Sequence, residues 1–209
     1  MKTLIWDFNG TIIDDSDLCL SIENYMLEER GLKHGYTMEW YRDHFCFPVI
    51  DYYKLMGYDF DKYDYAELAD EFNALYNNRF DEVTFIDGFE DLLKEAKEKG
   101  YQNVILSASE QQNLRRQCEK LGIQNEFEEL LGIDDYFAGS KIEMALAWMA
   151  FQDLKPEECV YIGDTSHDYD VAKALGIENY YLVACGHQSY EVLSKISERT
   201  VHSLKEVKL

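Results

Sequence analysis

"TLIWDFNGTIIDD", residues 3–15, runs apolar to Trp6, then sets a carboxylate at Asp7, an amide at Asn9 and a turn-forming Gly10 before turning apolar again. A short apolar run without polar alternation reads as a strand buried on both faces, the pattern of a parallel sheet. Asp7 alone would pass for a turn or helix cap. At the tip of a buried strand it gains another meaning, because open α/β sheets bind ligands beyond the carboxyl ends of their strands.

Similar runs recur at Asn103 to Leu106, Tyr136 to Ala138, Cys159 to Ile162 and Tyr180 to Ala184. Between them the spacing predicts helices over Gly88 to Lys99, Glu110 to Leu121, Lys141 to Phe151 and Tyr169 to Leu175, with Gly100, Gly122 and Gly176 placed as C-terminal stops. This alternation predicts an α/β fold, a Rossmann-like parallel sheet with right-handed crossovers.

Residues 15–84 break that rhythm, with helical segments and no convincing strand. Asp15 or Ser16 is placed to cap one helix, Pro48 to start a second, and Asp64 with Glu67 to open a third. The expected division is therefore a core of residues 1–14 and 85–209 with an all-helical cap, residues 15–84, inserted into it. The aromatics from Tyr36 to Tyr65 are expected to build the cap's own core and part of its hinge.

The formal net charge of −21 argues against sequence-independent binding to nucleic acid or to anionic lipid. An anionic ligand would need positive potential made locally by a metal ion, a lysine or backbone N–H groups. The five cysteines, Cys19, Cys46, Cys118, Cys159 and Cys185, lack C-x-x-C spacing and read as free thiols of a reducing compartment. The first acid comes too early for a signal peptide, and no apolar run reaches the roughly 18 residues of a membrane span. The expected location is cytoplasmic; oligomeric state is not legible.

Four polar groups follow successive strands: Asp7, Ser107, Lys141 and Gly163-Asp164. A carboxylate can attack phosphorus and form an acyl-phosphate, provided a counter-charge offsets the meeting of two anions. Asp7 and Asp164 are candidate Mg²⁺ ligands, and Asp168 is placed to bind the metal or orient its waters. Ser107 can donate to a phosphate oxygen and Lys141 can neutralise charge in the transition state. Lys155, just before Pro156, is the less attractive alternative to Lys141.

In these residues the chain resembles the haloacid dehalogenase-like hydrolases. The family's D-x-D-x-T stands as Asp7-Phe8-Asn9-Gly10-Thr11, its Ser/Thr at a strand end as Ser107 in "VILSAS", its Lys as Lys141 in "AGSKIEMA", and its G-D-x-x-x-D as Asp164 and Asp168 in "GDTSHD". The helical insertion resembles the cap of phosphoglycolate-phosphatase-like members. The resemblance implies a Mg²⁺-dependent phosphatase acting on a small phosphorylated metabolite. It makes Asp7 the nucleophile, Ser107, Ala108 and Lys141 the phosphate site, and Asp7, the carbonyl of Asn9, Asp164 and Asp168 the metal site.

Asn9 departs from the pattern, because the family's second acid protonates the leaving oxygen and later activates water. An amide does neither near neutral pH, and general acid–base help is worth about 10²- to 10⁴-fold. A substrate with a good leaving group, such as an acyl or aryl phosphate, would tolerate the loss. Asp14, Glu110 or His167 could instead transfer the proton, or the protein could bind phosphorylated ligands without turnover. Phosphotransfer, as in a mutase, uses the same intermediate. Dehalogenase chemistry does not need Mg²⁺, so Asp164 and Asp168 weigh against it. His167 itself reads as a surface loop histidine. Arg42, His44 and Lys54 are the cap residues expected to be closest to substrate.

Overall fold

The computed structural model describes residues 2–133 and 141–209. Its elements are β1 (Thr3–Trp6), β2 (Ile13–Asp14), α1 (Ser16–Glu29), α2 (Met38–His44), α3 (Val49–Met56), α4 (Tyr65–Arg79), β3 (Thr84–Phe85), α5 (Phe89–Glu98), β4 (Gln102–Glu110) and α6 (Gln111–Lys120). They continue with β5 (Glu129–Ile133), α7 (Lys141–Phe151), β6 (Cys159–Gly163), α8 (Ser166–Ala174), β7 (Tyr180–Val183), α9 (Tyr190–Leu193) and β8 (Thr200–Val201).

Six strands form one parallel sheet in the order β5-β4-β1-β6-β7-β8. β1 is central, with Thr3 level with Gln102 on one side and Cys159 on the other. Alternate residues of β1 serve opposite faces. Leu4 and Trp6 pack with Phe89 and Leu92 of α5, whereas Ile5 packs with Ala145 of α7 and Val171 of α8. Trp6 meets Phe89 edge-on at 5.6 Å and donates its indole N–H to Asn103 Oδ1 at 3.0 Å, so its one polar atom is satisfied inside the core.

Two strands of this sheet, β5 and β8, arise where none was expected, and so do β2 and β3 of the insertion's stalk. β5 begins at Glu129, in an acidic stretch that reads as a solvated face. Glu128 instead accepts the Asn103 N–H at 2.7 Å, so the acid caps the register between β4 and β5. β8 is only two residues long, too short for periodicity to register. The strand expected at Tyr136 to Ala138 lies outside the described residues. β4 continues past the expected Leu106 to Glu110, with an irregularity between those two residues. Ser107 therefore sits within the strand's last turn toward the site.

The insertion is helical as expected, with one more helix, α2, than the sequence indicates. Asp64 accepts the N–H groups of Ala66 and Glu67 at 2.8 and 3.2 Å, the cap geometry its spacing implied. The chain enters the helical region through β2 and leaves it through β3, which pair antiparallel as Ile13 with Phe85 and Asp14 with Thr84. This two-stranded stalk joins the helices to the sheet. No helix among the described residues is long and apolar enough to cross a membrane.

Candidate active site

Asp7 leaves β1 with its backbone N–H still bonded to Ile162 O of β6 at 2.8 Å, which fixes its carboxylate at the middle of the sheet edge. Lys141, the first residue of α7, places its ammonium between Asp7 Oδ1 at 2.5 Å and Asp168 Oδ1 at 2.7 Å. Its side chain is 2% exposed. Burial alone would drive a proton off such a lysine, but the two carboxylates hold it charged and lift its pKa well above the ordinary value. Burial in turn raises the Asp7 carboxyl well above its usual range, against the pull of Lys141.

Asp168 accepts four hydrogen bonds, from Lys141 and the Tyr161 hydroxyl (2.8 Å) on one oxygen and from Thr165 N–H (3.0 Å) and Oγ1 (2.7 Å) on the other. Burial disfavours its charge, yet Lys141 and these donors keep its pKa below normal. It both starts α8 and aims Lys141. Lys155 is exposed ahead of β6, at the opposite end of that strand from Asp164.

Asp164 follows β6 fully buried, accepting from Thr11 Oγ1 at 3.1 Å and from the His187 N–H at 2.6 Å. Burial lifts its pKa to about 6. Two glycines press against it: a Cβ would come within 2.3 Å of its Oδ2 at Gly10 and within 2.2 Å at Gly186. Gly10 also has φ +74°, so both its backbone and its surroundings demand glycine. Asp7, Asp164 and Asp168 each offer a carboxylate oxygen, all within 4.8 Å of one another. An all-oxygen donor set of this kind fits a hard divalent cation.

Ser107 is buried, and its Oγ accepts the Ser109 N–H at 3.0 Å. Ala108 lines the same space. The Asn9 amide donates to Asp15 Oδ2 at 2.8 Å and to the Tyr76 hydroxyl at 3.1 Å, while its carbonyl oxygen accepts from Ser109 Oγ at 3.0 Å. The carboxylate of Asp15 can only accept, so the NH₂ of Asn9 must face it.

Against known proteins, the family model described as haloacid dehalogenase-like hydrolase matches residues 4–181. The chain belongs to the haloacid dehalogenase-like hydrolases. Its fold is shared with a haloacid dehalogenase-like family hydrolase from Streptococcus pneumoniae, at 19% identity and TM-score 0.80 over 97% of this chain and 94% of that one. A similar match, at 23% identity and TM-score 0.75 over 100% and 91% of the two chains, is to Protein Tyrosine Kinase A of Mycobacterium tuberculosis. By sequence, the tyrosine-protein kinase PtkA of M. tuberculosis is 29% identical over 119 residues, 56% of this chain and 40% of that protein. The matched segment thus spans less than half the length of the curated relative.

Within this haloacid dehalogenase-like site, sequence reasoning missed Asp15 and His187. Asp15 stands at the N-cap position of α1 but makes no capping bond with its side chain. It accepts instead from Gly10 N–H at 3.0 Å and Tyr76 Oη at 2.7 Å besides Asn9, and lies 3.4 Å from His187 Nε2. The other ring nitrogen of His187 is 2.7 Å from the Tyr41 hydroxyl. Burial opposes charge on His187, but Asp15, with help from Asp164 and Asp7, lifts its pKa to about 9. Burial likewise opposes charge on Asp15, and His187 with the hydroxyl and amide donors overcomes it, holding the pKa below normal. A signal existed: "ACGHQS" follows the strand at Tyr180 just as "GDTSHD" follows the one at Cys159.

A cavity of about 460 Å³ opens from Asp7, Ser107 and Lys141 toward the inserted helices. His167 is half-buried in the first turn of α8, its ring tilted against that of Phe47 with centroids 4.8 Å apart; it is not a surface loop residue, because Phe47 partly covers it. The aromatics of the insertion serve two ends. Tyr52 and Tyr58 are buried in its own core, while Phe45, Phe47, Tyr53 and Tyr65 face the cavity. Arg42, His44 and Lys54 do not line it. Arg42 donates to Gly186 O at 2.9 Å, and His44 and Lys54 are exposed.

Proposed function

We propose that this hydrolase is a Mg²⁺-dependent phosphatase of small phosphomonoesters, working through an aspartyl-phosphate on Asp7. The observation that carries the reading is the convergence of Asp7, Lys141, Asp164 and Ser107 at one sheet edge. Residues 1–14 and 85–209 act as the catalytic core, and 15–84 as a cap that covers the substrate.

Asp7 attacks phosphorus from a position fixed by β6 pairing. Lys141, aimed by Asp168, meets the non-bridging oxygens, and Ser107 with the backbone around Ala108 orients the phosphate. Asp7, Asp164 and the backbone carbonyl of Asn9 would hold the cation, with Asp168 acting beside it through Lys141. Bound Mg²⁺ supplies the counter-charge that lets a carboxylate approach an anionic ester. Asn9 cannot shuttle a proton, so its side chain shapes the site without titrating.

The deciding assay is phosphate release from a panel of phosphomonoesters. Activity lost with EDTA and in Asp7→Asn supports the reading; activity indifferent to both sinks it. The missing water-activating acid at position 9 favours one further possibility, transfer of the phosphoryl group to an acceptor other than water. Acceptor-dependent consumption of the ester without equivalent free phosphate would distinguish it.

A further inference from the structure

We propose that the site selects small aryl phosphates, because a cavity walled by the rings of the cap adjoins a phosphate site whose position 9 carries no proton donor; this rests on the phosphatase reading above.

The cavity has two unlike ends. Toward the sheet it presents Asp7, Ser107 and Lys141. Toward the cap it presents Phe45, Phe47, Val49, Tyr65, Phe72 and Tyr76. Phe72 and Tyr76 lie nearly parallel with centroids 6.0 Å apart. Among the described residues lining it, the cap contributes no lysine or arginine, and its ionisable acids there include Glu23 and Asp70. A leaving group bearing a carboxylate or a second phosphate would therefore meet no cation from the cap. Asn73 and Asn77 also line the cap side, so a hydroxyl could find a partner there, but most of the cap wall is ring and aliphatic surface that offers a polyhydroxylated group little. A flat aromatic group fits such walls, and the volume lies in the range of small-ligand pockets.

Position 9 points the same way by independent chemistry. Both ends of the Asn9 amide are held, by Asp15, Tyr76 and Ser109, and none of its atoms can give up a proton at neutral pH. In the first step an Asp7 oxygen bonds to phosphorus and the P–O bond to the alcohol breaks, its electron pair leaving on oxygen. A phenol has a pKa near 10, so its anion departs unassisted far more readily than an alkoxide, whose conjugate acid is close to water at about 15.7. The phenolate then takes a proton from water. In the second step water attacks phosphorus, the P–O bond to Asp7 breaks, and inorganic phosphate and a carboxylate result. Without a base at position 9 this step is slow, so phenol appears in a burst.

The test compares phenyl, benzyl and ethyl phosphate with 2-phosphoglycolate on the intact protein with Mg²⁺. Benzyl phosphate carries the ring but has an alkoxide leaving group, so it separates ring recognition from leaving ability. Phenyl phosphate is expected to exceed benzyl phosphate in kcat/KM by about 10²-fold or more, the size of the acid assistance that Asn9 cannot give. Phenylphosphonate and benzylphosphonate should inhibit with Ki values within about threefold of each other, with ethylphosphonate at least about tenfold weaker. Phenol release should show a burst equal to enzyme concentration. Phe72→Ala should raise KM for phenyl phosphate about tenfold and leave inhibition by inorganic phosphate unchanged. Equilibrium binding of benzylphosphonate against methylphosphonate gives the same ring preference without turnover.

Equal or better kcat/KM on 2-phosphoglycolate or ethyl phosphate, still dependent on Asp7, overturns the aryl assignment and leaves the phosphatase reading standing. A phosphotyrosyl peptide preferred over free phenyl phosphate overturns the small-molecule assignment. Phosphate release from none of these esters, together with equal phosphonate affinities, overturns both.

Discussion

Two buried acid clusters flank the end of β1, and they neutralise charge in different ways. On one side, Asp7 and Asp168 share the single ammonium of Lys141. On the other, Asp15 is enclosed by Gly10 N–H, the Asn9 amide, the Tyr76 hydroxyl and His187. Asp7 faces the cavity and can exchange its partner for a ligand. Asp15 has no acceptor capacity left over. The first arrangement suits a group that must react, and the second suits one that must stay still and hold Asn9 in place. A carboxylate's role here follows from what saturates it, not from its burial.

The sharpest break of that contrast is Asp7→Asn. It should lower phosphate release by at least about 10³-fold, because the nucleophile is gone. Stability should change little, since Lys141 keeps Asp168, and a denaturation curve run beside the assay checks both halves. Asp15→Asn should act on stability first. Breaking a buried pair by removing one partner costs about 3–5 kcal/mol, because His187 is left charged without its counter-ion. The midpoint in urea should fall accordingly, and with it the activity through misplacement of Asn9.

Asn9→Asp alone sets two carboxylates within hydrogen-bond distance, so one must take up a proton or both must separate. It should cost about 1–3 kcal/mol and restore little activity. The exchanged pair Asn9→Asp with Asp15→Asn keeps a donor opposite an acceptor. It should raise the rate on ethyl phosphate about 10²-fold over the parent, and no gain would show that position 9 does not face the leaving oxygen.

The smallest effect concerns Glu23, on the cavity wall. Burial pushes its carboxyl up to about 8, although the Tyr52 hydroxyl donates to it at 2.8 Å. Between its ordinary value of 4.5 and 8 the unfolded chain binds fewer protons than the native one, so stability falls as pH rises through that window. Glu23→Gln keeps an acceptor for Tyr52 and removes the slope. Its Tm should match the parent's near pH 4 and exceed it at pH 8.

Much of this was legible in the sequence, for physical reasons. Buried parallel strands carry unbroken apolar runs, so β1, β6 and β7 announced themselves, and Asp7, Ser107 and Asp164 could be placed by the rule that sites lie at strand ends. β5 was hidden because it follows an acidic run whose Glu128 is engaged by a backbone N–H, and pattern reading takes acids for solvent. Asp15 was misread because an acid before a helix has a common local use, and only the fold brings Tyr76 and His187 to it. Arg42, His44 and Lys54 were chosen for charge, whereas the cap turns rings and amides toward the cavity.

The stalk adds one thing the site alone does not contain. The helices are tied to the sheet by two chain passages that are zipped together as β2 and β3, and Ile86 N–H also bonds Ile12 O at 3.0 Å. Two tethers fused into a ribbon leave little freedom except rotation about one line. On the far side, Arg42 on Gly186, Ser189 N–H on Arg42 O and Gln188 on Phe45 O fasten the helices to the loop that carries His187. The helices are thus held at two places, the ribbon at Ile13–Phe85 and the loop of residues 185–189. Because the His187 N–H of that loop also donates to Asp164, the contacts that fasten the helices and those that fix the acid at the floor of the site share one short segment.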